Sequence, residues 1–133
     1  GVAPEAALTL TLATPEIASG SEMIGLVSNI GRRWFYLLVV DDEGKVQEIE
    51  NDKLFVVARG SVGFRAPLTL TSGPVETVQL MLAISSDEIL EMVWLREGYE
   101  AGSYFDHLKA EIAANGGGVD FGIAPFVLRP AGP

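Results

Sequence analysis

Residues 32–49 read Arg32-Arg33-Trp34-Phe35-Tyr36-Leu37-Leu38-Val39-Val40-Asp41-Asp42-Glu43-Gly44-Lys45-Val46-Gln47-Glu48-Ile49. An aromatic and β-branched run stops at an acidic cluster, turns at Gly44 and resumes as alternating apolar and polar residues. That is the pattern of a β-hairpin. Trp34 to Val40 is apolar on both faces, which predicts a central strand covered on both sides. The acidic tip suits a turn: aspartates favour the early positions of a hairpin loop and glycine the position of positive φ.

Outward from the hairpin, the same period recurs. Leu8, Leu10 and Leu12 alternate with Thr9 and Thr11, a half-buried strand ended by Pro15. Ala18 to Ser21 reads as a turn, and Glu22 to Ser28 as a second strand ended by Asn29-Ile30-Gly31. Lys53 to Ala58 gives a further strand, Arg59 to Gly63 a loop, and Pro67 to Ser72 a repeat of the leucine–threonine alternation. After Ser72-Gly73-Pro74, Val75 to Ser85 places Val78, Leu80, Leu82 and Ile84 on one side, with Thr77, Gln79, Met81 and Ala83 on the other. The second side is only partly polar, so this strand also reads as central.

Residues 86–95 fit two patterns. Ser86 suits a helix cap with acidic residues behind it, while Met92 to Leu95 suits a strand; a short helix is the reading preferred. The clear helix is 103–115. There, Ser103 precedes Asp106 by a near capping box, and Phe105, Leu108 and Ile112 join Tyr104 in one apolar stripe. Asn115 and three glycines end it. Val119 to Leu128 is the last strand, interrupted at Ala124-Pro125, where proline predicts an edge or a bulge. Arg129 to Pro133 reads as a frayed tail. The sum is a mostly β fold of about seven or eight short strands with one C-terminal helix. It packs naturally as a two-sheet β-sandwich, Ig-like in general architecture. A partly open barrel is the alternative.

The 133 residues suit one domain spanning 1–133. Apolar residues make up 48% and charged residues 20%, which argues against disorder. The longest apolar run, Trp34 to Val40, falls far short of the roughly 20 residues of a spanning helix. A net charge of −9 makes nucleic acid and anionic membrane surfaces poor partners. With no cysteine, thiolate catalysis, disulfides and cysteine metal sites are excluded. Cytosol and periplasm remain equally open. The chain opens Gly1-Val2-Ala3-Pro4 and reads as a segment of something longer.

Chemistry-bearing groups are few. Asp41, Asp42 and Glu43 are contiguous, unlike the spaced ligands and late bidentate glutamate of a calcium loop, and they remain weak metal candidates. Glu48, Glu50 and Asp52 alternate toward solvent. As a hydrolytic carboxylate pair they would need an enclosing cleft. His107, the single histidine, stands beside Asp106 with no Gly-x-Ser-x-Gly elbow to supply a nucleophile. Gly116 to Gly118 follows a helix, whereas phosphate loops precede one. Trp34 and Tyr36 share a strand face, and with Trp94 and Tyr99 they are the candidate ligand-binding aromatics, for sugar above all. No cofactor is implied.

The order Ala18-Ser19-Gly20, Met23 to Ser28, Trp34 to Val40, Asp41 to Val46 and Gln47 to Asn51, followed by Gly73-Pro74 leading Val75 to Ser86, resembles a bacterial family of domains of unknown function. Those domains lie C-terminal to caspase-like peptidases or are attached to serine/threonine kinases or lipoproteins. Glu50 stands where the family commonly has a proline, and the loop from Asp52 to Pro67 differs in length. The resemblance implies an accessory, non-catalytic domain that works through a protein partner or a neighbouring domain. It carries no catalytic residues. A carbohydrate- or ligand-binding module and a carboxylate-based hydrolase using Glu48, Glu50 or Asp106–His107 are the competing expectations.

Overall fold

The computed structural model describes residues 8–41, 43–70, 75–91, 101–114, 116 and 118–131. Nine strands and one α-helix lie among them: β1 (Thr9–Leu12), β2 (Glu16–Ala18), β3 (Glu22–Ser28), β4 (Trp34–Val40), β5 (Val46–Glu48), β6 (Leu54–Ala58), β7 (Ser61–Pro67), β8 (Thr77–Ser86), α1 (Ala101–Ala114) and β9 (Val119–Arg129). A single 3-10 turn, Asn51–Lys53, leads into β6. The strands form a four-stranded sheet, β1-β3-β7-β6, and a five-stranded sheet, β2-β9-β8-β4-β5. The architecture is the two-sheet sandwich that the alternating patterns predict.

Two apolar clusters explain the layering. Between the sheets lie Met23, Val27 and Phe64 from one sheet and Leu37, Val39, Met81, Phe126 and Leu128 from the other. The opposite face of the five-stranded sheet carries Tyr36, Leu38, Leu82 and Ile84, and Leu108 of α1 seals them together with Leu90. The helix is thus a third layer. This is why β4 and β8 lack a polar side: their alternate residues serve two different cores. Both strands are interior, β4 between β8 and β5 and β8 between β9 and β4.

Several elements depart from the sequence pattern. β2, too short to show a period, pairs in parallel with β9 through Glu16↔Val127 and Ala18↔Arg129. β7 runs through the stretch expected as a loop, because Gly60 makes a tight turn at φ 76 and Gly63 continues the strand. The Phe55 ring lies where a side chain at position 63 would project, so the glycine marks a close approach instead of a break. Residues 68–70 are irregular in place of the expected strand. β9 runs unbroken through Pro125, which faces Leu80. β2 reaches only as far as Val127, so the proline sits where β9 has no second neighbour to receive an N–H. Arg129 is not frayed: it ends β9, its carbonyl accepts from Ser19 N–H at 2.7 Å, and its Nε meets Glu16 Oε1 at 2.8 Å. The helix-or-strand choice for 86–95 is placed only at its start, where Ser86 closes β8; residues 92–95 lie outside the described set, as do Gly73 and Pro74.

One ion-pair cluster ties three loops together. Arg32 donates from Nη1 to Asp87 at 2.7 Å and from Nε to Asp120 at 3.1 Å. The hydrogen bond that Arg32 donates to Asp120 chiefly holds the guanidinium pKa above its ordinary value, with desolvation opposing. The ends of β8 and β9 and the β3–β4 connection are thereby fixed.

Candidate functional site

The hairpin tip is a turn built around Asp41. Its Oδ1 accepts from the N–H groups of Glu43 at 2.9 Å and Lys45 at 3.0 Å, and its Oδ2 accepts from Gln47 Nε2 at 3.3 Å. Gly44 supplies the positive φ, 76°. The carboxylate is thus occupied by backbone donors, the arrangement of an Asx turn. Asp42 lies outside the described residues. Among those described, no group of three His, Asp or Glu side chains converges as a metal site would require.

The carboxylates do not assemble either. β5 ends at Glu48, which is half-buried. Glu50 precedes the 3-10 turn and Asp52 lies within it, paired with Lys53 at 3.3 Å. The alternation expected along one strand face is broken by that turn. Asp106 and His107 are exposed on α1, and His107 Nδ1 lies 2.8 Å from the Ser103 carbonyl, a local helix contact.

Of the four candidate aromatics, Trp94 and Tyr99 lie outside the described residues. Trp34 and Tyr36 share a face, as their spacing requires, and that face lies in the layer between the sheet and α1. Tyr36 is 2% exposed, and its hydroxyl accepts from the Leu90 N–H at 2.9 Å. Burial pushes the phenol pKa above its ordinary value; the Leu90 bond opposes, and Glu111 and Glu48 add to the rise. Trp34 is half-buried against the same cluster, with the Arg33 guanidinium 5.4 Å from its ring centre. These two rings fill core positions instead of forming an open platform for stacking a sugar.

Two surfaces stand out in their place. The first is the edge of the four-stranded sheet. β6 reads Leu54-Phe55-Val56-Val57-Ala58 with no charged residue, and among the described residues only β7 pairs with it. Phe55 is 47% exposed, Val56 81% and Val57 56%. Edge strands are usually blunted by charge or by brevity. β2 and β5 have three residues each, whereas β6 has five. A register shift between Val56 and Ala58 is its one irregularity. Leu26 and Ile24 of β3 extend the apolar strip across the outer face.

The second surface is a groove of about 540 Å³ where α1 leaves part of the five-stranded sheet uncovered. Its floor is Leu80, Leu82, Phe121 and Ile123, and its wall is Phe105, Leu108 and Ile112 of the helix. The helix stripe is narrower than the sheet beneath it, so Phe121 and Ile123 remain open to solvent. Both surfaces were latent in the sequence as strand residues whose polar alternates are missing: Val78 and Leu80 on β8, Phe121 and Ile123 on β9, and all of β6.

The chain was compared with protein-family models, with curated proteins and with solved structures, and no match was found in any of the three.

Proposed function

We propose that this chain is a non-catalytic accessory domain of a larger bacterial protein, one that mediates protein–protein interaction or positions a neighbouring peptidase or kinase domain. The observation that carries the reading is β6, an uncharged, five-residue apolar strand with one side unpaired among the described residues. Such an edge accepts an extended segment of a partner: main-chain hydrogen bonds supply affinity and alternate side chains supply choice. Arg59 directly follows the strand, which favours a partner segment with an acid residue beside its apolar ones. The resemblance to domains appended to caspase-like peptidases and kinases supports the same reading, since those domains act beside a catalytic neighbour. The carboxylates and the histidine lie apart from any enclosing cleft among the described residues, which leaves a hydrolase reading without support.

The test compares the parent protein with and without this domain, and with the paired change Val56→Lys and Val57→Lys. Both valines are exposed, so their replacement is expected to shift stability by no more than about 0.5 kcal/mol each. Partner recruitment, read by pull-down, is expected to fall on deletion and on the double change alike. Unaltered recruitment and unaltered parent activity after deletion would defeat the proposal.

A further inference from the structure

We propose that the groove between α1 and the five-stranded sheet binds a single-chain carboxylate of the fatty-acid class. Its volume, about 540 Å³, lies within the span of small-molecule sites. The floor is a strip of apolar side chains on neighbouring strands: Leu82 of β8 lies opposite Ile123 of β9, with Leu80 and Phe121 beside them on the same two strands. Phe121 and Ile123 are 45% and 64% exposed, so an acyl chain laid there removes from water a surface that folding leaves exposed.

Charge selects the head group. Lys109 is the one charged residue on the lining, in a chain of net charge −9. It stands on α1 four residues before Ala113, which lines the same wall. Among the described residues its ammonium enters no ion pair. Every other lining residue is apolar, so a ligand with polar groups along its length would lose hydrogen bonds to water without replacement. One anionic head at the rim and one unbranched tail on the floor match that distribution. This inference stands apart from the β6 reading: it uses the opposite sheet and different residues.

The experiment titrates laurate and, separately, dodecanol into the protein by calorimetry, below the concentration at which laurate forms micelles. Sedimentation measures the oligomeric state throughout. Saturable laurate binding at one site per chain is expected. Ala113→Trp fills the groove from the exposed helix side and is expected to weaken both ligands at least about tenfold. Lys109→Gln is expected to weaken laurate about three- to fivefold, as for an exposed ion pair, and to leave dodecanol unchanged. Circular dichroism checks that both variants keep the fold. Four results overturn the proposal. They are an absence of saturable binding, equal binding by the wild type and Ala113→Trp, association with lipid vesicles but not with free laurate, and a dimer that dissociates on Ile123→Ser while laurate fails to bind.

Discussion

At Tyr36, one hydroxyl joins packing to titration. The ring is buried under α1, and its oxygen satisfies the Leu90 amide. Tyr36→Phe removes that acceptor and is expected to cost about 1–3 kcal/mol at neutral pH. The raised pKa adds a pH signature. Below a pH of about 10 the phenol is protonated in both folded and unfolded chains, and its contribution is complete. Above that pH the unfolded chain releases the proton first, so stability falls as pH rises toward the folded-state pKa. Melting curves from about pH 8 to about pH 11 should show the wild type losing its margin over Tyr36→Phe. A constant margin would mean that the hydroxyl titrates alike in both states. Gly25 makes a steric counterpart. A Cβ there would strike the Phe64 ring and lie 2.7 Å from the Thr11 carbonyl oxygen. Phe64 is fully buried, so neither neighbour yields easily. Gly25→Ala is expected to cost about 1–3 kcal/mol in urea denaturation.

Among the elements, α1 stands or falls with Leu108. That side chain is 2% exposed and meets Tyr36, Leu38, Leu82 and Ile84 across the layer. Leu108→Ala is expected to cost about 2–5 kcal/mol in denaturant unfolding. A smaller loss would mean that the helix is held mainly by its connections. The helix, the hairpin and the two central strands were legible in sequence because each carries a long, unbroken apolar run or period: the run Trp34 to Val40, the alternation Val75 to Ser85, and the stripe from Phe105 to Ile112. β2 and β7 were not. Glu16-Ile17-Ala18 offers one large apolar residue and owes its conformation to β9, more than a hundred positions away. β7 hides behind Gly63, whose reason is the Phe55 ring lying against it from the neighbouring strand. The candidate surfaces were half legible. The missing polar alternates of β6, β8 and β9 are visible in sequence, but the groove depends on how far α1 covers its sheet. That is set by packing. The burial of Tyr36 was hidden for the same reason: the face it shares with Trp34 is the one that packs against α1.

For the molecule as a whole, the order of strands in space runs against their order in the chain. β9 lies between β2 and β8 and closes the five-stranded sheet, although it is the last of the nine strands. Truncation after Gly118 would strip β8 of one neighbour along its entire length and leave β2 with none. Such a chain is expected to lose cooperative unfolding altogether, which a single calorimetric scan would reveal. A truncated chain that still melted in one sharp transition would show that β8 and β4 suffice as a core. The same placement governs how the protein comes into being. Synthesis proceeds from the N-terminus, so eight strands leave the ribosome before β9, which completes the five-stranded sheet. Until then Val78, Leu80 and Leu82 lie on an open strand edge, and Ile17 waits for its partner. Contacts this distant in sequence form slowly. The nascent domain is therefore most prone to aggregate just before β9 emerges, and its demand for chaperone protection peaks at that point.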